Sequence, residues 1–228
     1  MSLLPRLRVS EGVLQAVLPL WLYDLAVLLF FPLNWLISHL ARQAVPETAP
    51  AAKGEQAGLK AIIRRRDDSA HGDAELWALF AALPPPAVDD MLGNWRGKVV
   101  LSGGGLDLAA RLLENPLRGL GLEWGKRYFS ALRGDPFILV LWDMLVLPIP
   151  VWGNVSLAEV SLLGTSGATM VYDHQPWMDH FRLLDDGKAS GRRMLLGNWL
   201  ARGKNGGWFT LEASPELDEG VADLMEHR

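Results

Sequence analysis

Between positions 172 and 182 the chain places Tyr172, Asp173, His174, Asp179, His180 and Arg182, its densest run of groups able to bind a polar ligand or move a proton. Two His beside two Asp suit general acid–base chemistry: imidazole titrates near neutrality, and a neighbouring carboxylate fixes its tautomer. The same four groups are types that ligate divalent metals. The structural alternative is a turn capped by Asp173, a His180 that hydrogen-bonds a neighbour, and an Arg182 paired with a carboxylate. On a strand, Tyr172 and His174 share one face and Asp173 takes the other. Pro176 interrupts the run, so Asp179 and His180 begin a new strand, and a hairpin would bring the two Asp–His pairs toward each other.

A second group is Glu123, Lys126, Arg127 and Tyr128. Tyr128 or Lys126 facing a cavity would suit a ligand carbonyl or carboxylate; the plainer expectation for Lys and Arg on a half-buried strand is its solvent side. Trp95, Trp124, Trp142, Trp177 and Trp199 read as core and cavity lining. There is no Cys, which removes disulfides, thiolate metal sites and a Cys nucleophile. Ser102-Gly103-Gly104-Gly105 lacks the Lys-Ser/Thr of a P-loop, and neither Gly-X-Ser-X-Gly nor His-Glu-X-X-His occurs. No catalytic residue, metal or cofactor is assigned.

The elements that position these groups are mostly short strands. Residues 95–101, 122–130, 136–142, 155–163, 168–172, 178–184, 193–199 and 208–211 read as strands, with turns at Gly134-Asp135, Gly153-Asn154, 164–167, 185–187 and 203–207. Residues 74–83 read as a helix stopped by Pro84-Pro85-Pro86. Leu108, Leu112 and Leu113 give residues 106–113 one apolar helical face, suited to capping a barrel mouth.

Gly93-Asn94-Trp95-Arg96-Gly97 opens this strand set. Its glycines permit close backbone packing, and Trp95 supplies a large apolar plug with one donor. With the helix before it, Glu123-Trp124-Gly125-Lys126-Arg127-Tyr128-Phe129 after it, and the run 170–182, the chain resembles the bacterial GXWXG proteins, followed by their usual C-terminal domain of unknown function. The resemblance spans about residues 74–213 and implies a fold but no activity. The apolar stretch 139–150 departs from the pattern, and the first 70 residues lie outside it.

Residues 13–40 carry one charged side chain, Asp24. A bilayer core needs about 20 apolar residues in a helix. Asp24, Pro19 and Pro32 oppose a simple span, so three placements stay open: spanning a membrane, lying on it, or packing on the protein's own body. Residues 44–58 read as a linker, followed by the charged run Arg64-Arg65-Arg66-Asp67-Asp68. Net charge is −4: residues 1–70 hold eight Lys or Arg and six Asp or Glu, residues 71–228 fourteen and twenty. An acidic body of this kind argues against nucleic acid as a partner.

The sequence thus predicts a mainly β chain: a lipocalin-like antiparallel β-barrel with short helices over residues 74–214, an apolar helical segment over 1–43, a linker over 44–73 and a polar tail over 215–228. The expected function is binding of a small apolar or amphipathic molecule inside the barrel, at Trp95, Tyr128, Tyr172, Asp173, His174, Asp179, His180 and Arg182. Residues 13–40 would associate with a membrane and the rest would lie in the cytoplasm. The alternatives are an enzyme using the Asp/His cluster on a lipid-like substrate, and a membrane-tethered interaction domain with a filled interior.

Overall fold

The computed structural model describes residues 6–10, 13–38, 41, 43–50, 56–64, 70–102, 107 and 114–218. The helix expected over 106–113 lies outside these residues except for Asp107, as do His39, Arg65, Arg66 and the tail from position 219. Strands β1 (Arg6–Ser10) and β2 (Val13–Val17) form a hairpin. Helices α1 (Leu20–Leu29) and α2 (Phe31–Ser38) follow, then β3 (Gln43–Ala44), α3 (Gln56–Arg64) and α4 (Asp73–Ala82). The remainder is β4 (Gly93–Val100), α5 (Asn115–Gly119), β5 (Leu122–Ser130), β6 (Arg133–Leu141), β7 (Leu145–Pro148), β8 (Val155–Leu162), β9 (Thr165–Tyr172), β10 (Trp177–Asp186), β11 (Arg193–Ala201) and β12 (Lys204–Ala213).

Eight of these strands form the antiparallel barrel expected from the sequence. The order runs β6-β5-β4-β12-β11-β10-β9-β8 and returns to β6. The seam is narrow: Gly134 pairs with Val155, and the Leu157 N–H donates to the Ala131 carbonyl at 2.7 Å. Beyond that point the same edge of β6 turns to β7, which pairs in parallel with β2. Gly134-Asp135 is therefore strand, not the turn its residue types suggested; the turn falls at positions 131–132. A Cβ on Gly134 would stand 2.8 Å from the Arg127 carbonyl oxygen on β5, so the close approach of β5 demands glycine there.

Alternation sorts the side chains. Trp95, Tyr128, Leu157, Met170, Phe181, Leu195 and Leu211 belong to one buried cluster inside the barrel. Leu184, Met194, Leu196, Leu200 and Trp208 face outward under α4, whose Leu76, Trp77, Leu79 and Phe80 complete a second cluster. Asp73 pins this helix to the sheet: one carboxylate oxygen accepts from Trp208 Nε1 at 2.7 Å and Asn205 Nδ2 at 2.8 Å, the other from Trp77 Nε1 at 3.1 Å. The stretch read as a linker carries α3, whose Arg64 pairs with Asp185.

Over its described residues, 13–38, the apolar segment is a strand and two short helices. Pro19 precedes α1 in an extended conformation, and Phe30 breaks the helix before Pro32 enters the first turn of α2, where a missing N–H is tolerated. No helix among the described residues is long and apolar enough to cross a membrane. The helices contact the barrel through buried Tyr23, through Asn34 Nδ2 donating to the Val151 carbonyl at 2.8 Å, and through Ser38, whose Oγ accepts from Trp177 Nε1 at 2.7 Å.

The Gly-X-Trp-X-Gly run shows why each residue is needed. Gly93 has φ +109°, and a Cβ there would meet the Asp218 carboxylate, which instead accepts the Asn94 N–H at 2.6 Å. Trp95 donates to the Met91 carbonyl at 2.7 Å, closing one end of the barrel. A Cβ on Gly97 would stand 2.3 Å from the Trp124 ring. Replacing Trp95 with Ala should therefore lower stability by about 3–5 kcal/mol, measured as a shift in the denaturant midpoint; an unchanged midpoint would refute its role as the plug.

Candidate functional site

The barrel wall divides the eight predicted site residues. Trp95, Tyr128, Tyr172 and Asp179 are buried on its inside, the first three within the main cluster. His180 and Arg182 follow Asp179 at odd spacing and face outward. Asp173 and His174 lie in the exposed bend between β9 and β10. The hairpin forms, but its register, Met178 opposite Val171 and His180 opposite Thr169, keeps the two Asp–His pairs apart. Asp173 accepts from Asn154 Nδ2 at 2.7 Å, and His174 Nε2 sits 2.9 Å from Asp24 on α1. No group of His, Asp and Glu able to hold a metal occurs among the described residues.

The inside holds an ion pair. Lys126 Nζ, on β5, lies 2.8 Å from Asp179 Oδ2 on β10, across the barrel. Lys126 also donates to the Pro136 carbonyl at 3.1 Å and stands 5.2 Å from the Phe209 ring centroid. Tyr172 Oη is 3.5 Å from Asp179 Oδ2, and Tyr128 Oη donates to Met170 Sδ at 3.2 Å. The other oxygen, Asp179 Oδ1, is buried and has no hydrogen-bond partner among the described residues.

Burial raises the Asp179 carboxyl above its ordinary value, and Lys126 works against that rise. Burial, reinforced by the Asp179 charge, pushes both tyrosine hydroxyls well above their usual value, so they stay protonated. Lys126 and its neighbour Arg127 are thus not the solvent side of a strand. Arg127 is buried on the outer face, with Nε 2.7 Å from Asp135, which also accepts from Tyr23. Sequence reasoning named Lys126 but had no signal for its partner 53 positions away. Arg96 is unanticipated: it meets Glu123 at 2.9 Å, Asp143 at 2.6 Å and Glu216 at 3.2 Å over a polar surface depression.

Trp177 and Trp199 pack edge-on at 5.5 Å at the end of the barrel beneath α2. Trp124 stacks on Phe137 at 5.8 Å. Trp142 breaks the expectation of a core tryptophan: it lies in the turn after β6 with φ +49° and is 61 % exposed. A chain reversal at that point turns its ring out of the alternating pattern.

Outside the barrel, His180 Nδ1 lies 2.9 Å from Thr169 Oγ1, and Arg182 gives its hydrogen bonds to the carbonyls of Phe181, Leu162 and Thr165 while its guanidinium covers the Phe80 ring. Arg182 thus pairs with backbone, not with the carboxylate expected. Burial, helped by the Arg182 charge, lowers the His180 pKa to about 4 from its ordinary 6.5. Between those values the unfolded chain takes up a proton that the folded chain refuses, so stability falls as pH drops from 6.5 toward 4. At pH 5 the loss should be about 2 kcal/mol relative to pH 7. Denaturant midpoints at both pH values should show a flatter dependence in His180→Asn; an equal slope in parent and variant would contradict the burial of neutral His180.

Comparison with known proteins bears on residues 153–204, which match the family described as Domain of unknown function (DUF4334). That match excludes Gly93-Asn94-Trp95-Arg96-Gly97, and the GXWXG family is not matched, so the resemblance over 74–213 is corrected to this shorter one. No curated protein matches the chain. A solved structure, the "Crystal structure of protein from Thermomonospora curvata", is similar at 30 % identity and TM-score 0.54, covering 70 % of this chain and 97 % of that one. With that identity over nearly the whole of its relative, and a DUF4334 segment in its barrel, the chain belongs to the same family as the Thermomonospora curvata protein.

Proposed function

We propose that the barrel interior binds a small apolar or amphipathic molecule, with the Lys126–Asp179 pair at its polar end. The observation that supports this reading is Asp179 Oδ1, a carboxylate oxygen buried among rings and aliphatic chains without a partner among the described residues. An unsatisfied buried acceptor costs about 1–3 kcal/mol, more when charged. Small-molecule sites combine apolar walls with a few such fixed polar groups. Of the groups expected to do proton chemistry, Asp179 alone stands inside, so an enzyme acting on such a molecule would run its acid–base step through this carboxylate. His180, Arg182, Asp173 and His174 would serve the structure instead.

Titration with a panel of medium-chain aliphatic and small aromatic molecules should quench or shift the fluorescence of the interior tryptophans, with saturation. If no member of the panel binds the folded protein, the reading is wrong and the barrel serves as a filled scaffold.

A second feature favours a lipid surface as the setting. From Leu25 to the end of α2 no side chain is charged. At the corner between α1 and α2, Leu28, Leu29, Phe30 and Phe31 are consecutive and exposed, with exposed Trp21 and Trp35 to either side. Such a convex apolar edge rimmed by tryptophan suits shallow burial at the headgroup boundary. The full chain should co-sediment with phosphatidylcholine vesicles, and Phe30→Ser with Phe31→Ser should reduce the bound fraction several-fold without lowering the melting temperature. Equal sedimentation of parent and double variant would remove this edge from the reading.

A further inference from the structure

The interior ion pair restricts what kind of polar group the bound molecule carries. The pair is balanced: one carboxylate and one ammonium at 2.8 Å, with both nearby tyrosine hydroxyls protonated. A ligand bringing a charge of either sign would leave that charge unmatched in a low-dielectric interior, at high cost. The donors nearest Asp179 are directed at acceptors, with one of the three Lys126 N–H bonds left over. Lys126 gives hydrogen bonds to Asp179 Oδ2 and the Pro136 carbonyl, Tyr128 to Met170 Sδ, and Tyr172 approaches Asp179 Oδ2. The carboxylate oxygen turned away from Lys126, Asp179 Oδ1, is an acceptor with no partner among the described residues.

Resting on the ligand-binding reading above, we infer that the barrel selects neutral hydrogen-bond donors, an aliphatic or aromatic alcohol in particular, over carboxylates and over acceptor-only analogues of the same size. The hydroxyl donates to Asp179 Oδ1 while the hydrocarbon part packs against the interior rings. A fatty acid headgroup would instead set a second carboxylate beside Asp179, with Lys126 already engaged. An ether of the same shape would leave Oδ1 as unsatisfied as before. Sites that hydrogen-bond a substrate hydroxyl discriminate sharply against analogues lacking it, because the buried partner is stranded.

The test is a matched series on the full chain: 1-octanol, its methyl ether and octanoate, followed by tryptophan fluorescence and calorimetry at pH 7.5. Octanol should bind about tenfold more tightly than the ether, the ratio expected for a hydrogen bond to a charged acceptor, and more tightly than octanoate. If none of the three binds, the ligand-binding reading itself fails. If they bind and the ether or octanoate equals or exceeds octanol, that reading stands and the selectivity for donors is overturned. Asp179→Asn supplies the second arm. In the folded variant Lys126 loses its counter-charge, so the alcohol preference should vanish and octanoate should gain affinity. A folded Asp179→Asn that keeps the alcohol preference would show that another group accepts the hydroxyl; should the variant not fold, the parent series decides alone.

Discussion

Three residues of β6, Gly134-Asp135-Pro136, hold together the parts of this molecule that face in different directions. Gly134 closes the barrel against Val155, at a distance from the Arg127 backbone that no side chain would allow. Asp135 faces outward and gathers Arg127 and Tyr23, fixing α1 to the barrel wall. The Pro136 carbonyl faces the interior and holds Lys126 for its partner Asp179. A strand edge shared between β8 and β7 thus sets the bore of the barrel, the seating of the N-terminal helices and the position of the inner cation at once.

The period-2 alternation of a strand does the rest of the sorting. Consecutive residues Asp179, His180, Phe181 and Arg182 form one polar cluster in the sequence and two unrelated environments in space. On the inner side a carboxylate answers an ammonium across the barrel. On the outer side a neutral imidazole and a guanidinium that donates to backbone carbonyls tie β9, β10 and the end of β8 to one another and to α4. The N-terminal segment follows a similar division, with Tyr23, Asn34 and Ser38 toward the barrel and bulky apolar side chains toward the outside.

Much of the barrel was legible because its strands carry alternation and its turns carry glycine. The strand ends of β5, β8 and β11 and the helix α4 lie close to where composition places them, and Trp95 closes one end as its motif suggests. What the sequence hides is long-range. Gly134-Asp135 has turn chemistry, and only the seam explains its place in a strand. Lys126 looks like a solvent-facing cation until Asp179 is seen opposite. Trp142 looks like core until the backbone reverses at a positive φ. The segment 13–40 has the hydropathy of a span, yet Pro32 and the break at Phe30 cut it into pieces whose polar residues find partners on the barrel.

Several interior rings lie flat on glycine. The Trp124 ring covers Gly97, the Phe209 ring covers Gly197 and the Trp199 ring covers Gly206, each within 2.2–2.4 Å of where a Cβ would sit. At these points the lining of the barrel is one ring thick and rests on bare backbone. Exchanging such a ring for a smaller side chain would widen the lumen locally and leave the hydrogen-bonded ladder behind it untouched. The free width inside this barrel therefore depends on which rings line it as well as on its strand number.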